Sequence, residues 1–135
     1  MVLSQTIDVN RLEAAEGYLM VATYLPVRHY WHIPAFLGMT NRIQTQLKST
    51  AGVVRYGLRA DLLGKNFWTV SVWTGRNEMA TFTGAEPHLT AQGRFTEWAG
   101  AGAAFVEWTS TDGRFDWPDV MERLKTPTFY YKPTT

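Results

Sequence analysis

The sequence predicts an α+β domain: a four-stranded antiparallel sheet with helices on one face, in the order strand, helix, strand, strand, helix, strand. Three stretches carry this prediction. Asn66–Trp73 (NFWTVSVW) alternates β-branched and aromatic residues, as a half-buried strand does. Trp31–Ser49 places Ile33, Phe36, Leu37, Thr40, Ile43 and Leu47 at 3.6-residue spacing on one helical face. Gly52–Asp61 is separated from Asn66 only by Leu62–Lys65, a short connection with Gly64 that reads as a hairpin loop.

Composition bounds the answer before any element is placed. A chain of 135 residues fits one domain and buries a real core. Its 45% hydrophobic and 14% aromatic content excludes a disordered chain. A net charge of +1 leaves no electrostatic footprint for nucleic acid or anionic lipid, so neither nucleic acid nor a membrane is expected as a partner. No apolar run approaches the roughly 18 residues of a membrane span. MVLSQTIDVNRLEAAEG has acidic residues and no continuous apolar stretch, so it does not read as a signal peptide, and the cytoplasm is the expected compartment. Zero cysteines exclude disulfides and thiolate metal sites.

Taken in order, residues 1–17 read as a loosely held arm and 18–135 as one domain with a C-terminal helix and an extended tail. Tyr18–Val27 is the first strand, ended or edged by Pro26. The long helix follows, with Pro34 in its first turn, Gly52 beyond its end, and Arg42, Gln44, Gln46 and Lys48 mostly on its outer face. In the hairpin, Val54, Tyr56 and Leu58 oppose Arg55, Gly57 and Arg59, while Trp68, Val70 and Val72 oppose Phe67, Thr69, Ser71 and Trp73. Met79 and Phe82 mark a second helix that stops near Gly84 and Pro87, and His88–Ala99 forms a further helical piece. Ala103–Ser110 is the last main strand. Asp116 caps a short helix with Pro118 in its first turn, and Phe129–Tyr131 is extended, suited to a sheet edge or a partner subunit.

This order is the ferredoxin-like βαββαβ arrangement. With helices on one face, the aliphatic sides of the strands are expected beneath them, and Phe67, Thr69, Ser71, Trp73, Arg55 and Glu107 are expected on the open face. Aromatics on an open sheet call for cover, which predicts a homodimer with a second sheet packed face to face.

Gly52–Val53–Val54, Ser71–Val72–Trp73, Phe82 nine residues on, His88 fifteen residues after Trp73, Trp98 and the ending Leu124…Thr126–Pro127 resemble the dimeric α/β-barrel superfamily. The resemblance covers residues 18–131 and is nearest to an uncharacterised branch of the antibiotic biosynthesis monooxygenase-like proteins. It implies a small cofactor-independent monooxygenase-like oxidoreductase acting on an aromatic or polyene-like molecule in a dimer cavity. A cyclase or isomerase of polyketide-like substrates, and a non-catalytic carrier of a hydrophobic ligand such as heme, stay open beside it. In the heme-degrading relatives the axial ligand lies further along the helix, near Gln92 here, and the partner tryptophan position holds Phe82. Heme degradation is therefore disfavoured, no cofactor is expected, and heme binding through His88 in another geometry stays open.

On that reading His88 is the candidate proton carrier, since imidazole exchanges a proton near neutral pH. Arg55 is the candidate counter-charge for a developing anion. Phe67, Trp73, Phe82 and Trp98, with Thr69 and Ser71, are the candidate substrate wall. Each has a plainer role as core, cap or surface residue. His29 and His32 have a two-ligand spacing without a third ligand nearby, so no metal is expected.

Overall fold

The computed structural model describes residues 2–11 and 17–130. One antiparallel sheet runs through it, in the order β1-β3-β4-β2-β5-β6. Its strands are β1 (Val2–Asp8), β2 (Tyr18–Pro26), β3 (Val53–Asp61), β4 (Asn66–Trp73), β5 (Ala104–Ser110) and the two-residue β6 (Phe129–Tyr130). The helices are α1 (Ile33–Lys48), α2 (Arg76–Thr83), α3 (His88–Trp98) and α4 (Trp117–Arg123). The inner four strands, with α1 to α3, form the expected ferredoxin-like unit.

Local chemistry accounts for most boundaries. Pro34 sits in the first turn of α1, where its missing N–H costs nothing. Gly52 has φ +90°, and a Cβ there would lie 2.4 Å from Glu78, so glycine is required at the turn into β3. Asp116 caps α4 by accepting the Asp119 N–H at 2.8 Å. β6 pairs with β5 through Ala104–Tyr130 and Phe105–Phe129, the sheet-edge role expected of the tail; Tyr131 lies outside the described residues.

Three expectations are corrected. The sheet has six strands among the described residues, not four, because two edges are extended. Val2–Asp8, expected in a loose arm, pairs along its length with β3, from Val2–Asp61 to Asp8–Arg55. An edge strand exposed on both faces carries little burial periodicity, which is why its pattern is faint.

The third correction concerns the faces. Phe67, Thr69, Ser71 and Trp73 do not face water: they lie under α1, α2 and α3. Phe36, Phe95 and Trp98 pack on Phe67, and Leu47 and Phe82 pack with Trp73 and Tyr56. The aliphatic side of β4 turns the other way, where α4 covers it through Val120 on Ala22, Val70 and Val106, while Tyr56 and Leu58 of β3 do lie beneath the helices as expected. Phe115 reaches the same side over Gly57, where an added Cβ would come within 2.8 Å of its ring. Both faces therefore bury apolar side chains within one chain, so apolar content does not distinguish them. The helix side instead needs large rings to span the gap to the helices, and it tolerates hydroxyls where a cavity remains. The case for a partner sheet over Phe67 and Trp73 falls with this placement.

Candidate active site

A cavity of about 380 Å³ lies between the sheet and α1 to α3. Thr69 and Ser71 of β4 and Thr23 of β2 line its sheet side, and Phe36, Ile43 and Gln44 of α1 its helix side. Trp73, Phe82 and His88 wall one end, and Phe95 and Trp98 another part. It has the size and largely apolar character of a small-molecule site.

The three residues whose spacing stood out in the sequence form one contact series. The Trp73 and Phe82 rings lie 5.3 Å apart, and the Phe82 and His88 rings 4.9 Å apart. Strand alternation puts Ser71 and Trp73 on one face, where Trp73 Nε1–H donates to Ser71 Oγ at 2.8 Å. The Thr23 and Thr69 hydroxyls share a hydrogen bond across the β2–β4 pair.

His88 opens α3 and is fixed from two sides. Its backbone N–H donates to Gln46 Oε1 at 3.2 Å, and Gln46 Nε2 donates to the Phe82 carbonyl at 3.1 Å. One side chain of α1 thus joins the end of α2 to the start of α3. His88 Nδ1 lies 3.2 Å from the Thr83 carbonyl, which can only accept, so Nδ1 carries the proton and Nε2 keeps its lone pair. Burial pushes the His88 pKa below its ordinary value, and the Thr83 contact only partly offsets this. Burial therefore favours the neutral form of the ring.

Further polar groups ring the cavity. Tyr56 Oη donates to Gln44 Oε1 at 3.1 Å, and burial pushes the phenol pKa up, keeping it a donor. At the rim, Arg76 at the start of α2 grips Glu107 of β5 with two hydrogen bonds, at 2.7 and 3.2 Å.

Of the expected site residues, His88, Trp73, Phe82, Trp98, Thr69 and Ser71 meet at this one cavity. Phe67 does not line it. It packs on Phe36 at 4.5 Å and borders a second chamber of about 350 Å³ between α1 and the β1–β3–β4 edge. Arg55 is not brought to His88: it sits on the opposite sheet face, bonded to Asp8 Oδ1 at 3.0 Å and to the Gly113 carbonyl. His29 and His32 have ring centres 5.6 Å apart, and Trp31 stacks on His29 at 4.1 Å. Among the described residues no three His, Asp or Glu side chains gather for a metal ion.

Arg76, Gln44, Gln46 and Thr83 are site residues that sequence reasoning missed. Gln44 and Gln46 were expected on the outer face of α1, yet Gln44 lines the cavity and Gln46 lies against α2 and α3. Two glutamines flanking the apolar stripe of α1 were the available signal.

No known protein-family model and no curated protein matches the chain. Solved structures do. A point mutant of SnoaB, a cofactor-independent oxygenase from Streptomyces nogalater, aligns at TM-score 0.59 and 14% identity, over 76% of this chain and 98% of its own. Rv0793 from Mycobacterium tuberculosis aligns at 0.62 and 14%, over 69% and 94%. A protein described as an antibiotic biosynthesis monooxygenase aligns at 0.61 and 13%, over 68% and 97%. At such identities the likeness speaks for backbone architecture. The chain shares the ferredoxin-like fold of these solved structures.

Proposed function

We propose that this chain is a cofactor-independent, monooxygenase-like oxidoreductase acting on an electron-rich aromatic or polyene-like small molecule in the cavity between sheet and helices. The observation that carries it is His88: a half-buried imidazole, tethered by Nδ1 and its backbone N–H, on the wall of an apolar cavity. For a hydroxyarene, His88 Nε2 takes the phenolic proton. The resulting anion passes one electron to dioxygen, and the radical pair joins at a ring carbon as a peroxide. One oxygen stays on the ring as a quinone carbonyl, and the other leaves as water with the two protons released. Trp73, Phe82 and Trp98 hold the ring and exclude bulk water. Arg55 cannot supply a counter-charge from the far face, and Arg76 at the cavity rim is already paired with Glu107.

Oxygen uptake with a hydroxynaphthalene probe tests this. Wild-type protein should consume oxygen, and His88→Ala should lose about a hundredfold or more, the scale of general base catalysis. Full turnover by the variant removes His88 from the reaction. Turnover without oxygen makes the chain a cyclase or isomerase, and tight binding without turnover makes it a carrier.

We also propose a homodimer, on a ground different from the one the sequence suggested. On the face opposite the cavity, half-buried Tyr24 and Trp68 stack at 5.8 Å, and Arg59 lies over Trp68 with a buried Nε that has no hydrogen-bond partner among the described residues. A second copy would cover this patch and could supply the missing acceptor. A sedimentation velocity run showing only monomer at micromolar concentration would defeat that assembly.

A further inference from the structure

The second chamber lies outside the βαββαβ unit's own cavity, and β1, the strand that unit lacks, builds one of its walls. It runs between α1 and the β1–β3–β4 edge of the sheet. Leu3 of β1 and Leu37 of α1 form its rims, 51% and 43% exposed, and Leu58, Ala60 and Phe67 lie between them. Two leucines this exposed on the lining of one chamber are what an apolar guest would cover.

The two chambers share a boundary made by Phe36, Thr40, Gln44, Leu58 and Thr69. Gln44 is the amide on that boundary, where the Thr40 hydroxyl is bonded to the Phe36 carbonyl and the Thr69 hydroxyl to Thr23. Its Oε1 accepts from Tyr56 Oη at 3.1 Å and from Gln5 Nε2 at 3.5 Å. Its Nε2 is left to donate to whatever crosses between the chambers.

We propose that the two chambers hold one elongated ligand: an aromatic head against His88, an acceptor oxygen at Gln44 Nε2, and an apolar tail lying between Leu3 and Leu37. The ligand class is thus a hydroxyarene with a carbonyl or ester substituent carrying an alkyl or isoprenoid chain. This rests on the reading of the main cavity as the ligand site. The sequence of contacts gives each part a separate reader. The head is read by rings and a base, the linker by an amide, and the tail by leucines on α1 and β1.

The methyl and octyl esters of a hydroxynaphthoic acid make the test, with dissociation constants measured by calorimetry on the full chain. The octyl ester should bind the wild type about tenfold or more tightly than the methyl ester, since each buried methylene adds to affinity. Leu37→Trp, which fills the slot from an exposed helix position, should erase that gain while leaving methyl-ester binding within about twofold. Leu3→Glu, at the other rim, should do the same by placing a charge there. If both esters bind alike, or the octyl gain survives both substitutions, the slot proposal is overturned while the main cavity keeps its ligand. If neither ester binds the wild type, the cavity reading and the slot proposal fall together.

Discussion

Gln46→Leu is the perturbation that best probes how the fold holds its base. Gln46 makes two hydrogen bonds between α1 and the α2–α3 junction, but they are unequal. The Phe82 carbonyl also accepts the Ala85 N–H at 3.2 Å, so it keeps a partner when Gln46 is lost. The His88 N–H stands in the first turn of α3 with Gln46 Oε1 as its partner, and leucine leaves it unpaired. An unmade bond of this kind costs about 1–2 kcal/mol at a partly buried site. For a chain of 135 residues, unfolding entropy near the midpoint converts this to a drop of about 4–7 °C in Tm. Gln46→Glu keeps an acceptor for the His88 N–H and loses only the bond to Phe82, so it should cost less than half as much. The carboxylate would also favour the charged imidazole and raise the pH below which base function is lost. Differential scanning calorimetry on the three proteins, with probe oxidation followed against pH, makes the comparison. A Gln46→Leu midpoint within about 1 °C of wild type, or a Glu variant as damaged as the Leu variant, would refute the assignment of Gln46 as the tether of His88.

Other expectations follow from the same contacts. Phe36 is 5% exposed and touches Phe67, Phe95 and Trp98, so Phe36→Ala should destabilise by about 3–5 kcal/mol in urea unfolding. A change under about 1 kcal/mol would mean the cluster repacks freely. Asp116→Ala removes the α4 cap and should cost about 1 kcal/mol, with Asp116→Asn losing much less. The lowered pKa of half-buried His88 means the unfolded chain binds the proton more readily than the folded one. Its stabilising contribution is therefore complete above the unfolded value of about 6.5, and it falls as pH drops from there toward the folded pKa. His88→Gln should flatten that part of the stability–pH curve, and an unchanged slope would show that another group titrates there.

Much of this was legible in the chain because it depends on local periodicity. Asn66–Trp73 reads as a strand from its alternation and is one, residue for residue. The long helix, the hairpin and the Asp116 cap are equally local, since each is set by side chains within a turn or two of the feature. Trp73, Phe82 and His88 could be linked by spacing because a strand, a tight turn and a short helix allow few relative placements.

What tertiary structure alone decided is which face of the sheet the helices choose, and the site changed character with that choice. Alternation shows that Thr69 and Ser71 share a side with Trp73, but it cannot say whether that side meets helices or water. Both faces here bury apolar rings, so the decision lies in the summed packing of α1 to α3 against α4 and Phe115, which involves residues far apart in sequence. The same long-range packing put Arg55 on the wrong side of the sheet for His88. It also turned Gln44 and Gln46 inward and raised β1 from an arm into a wall. The strand–turn–helix carrying His88 was in the sequence; the cavity it serves arises from contacts that no single stretch of the chain contains.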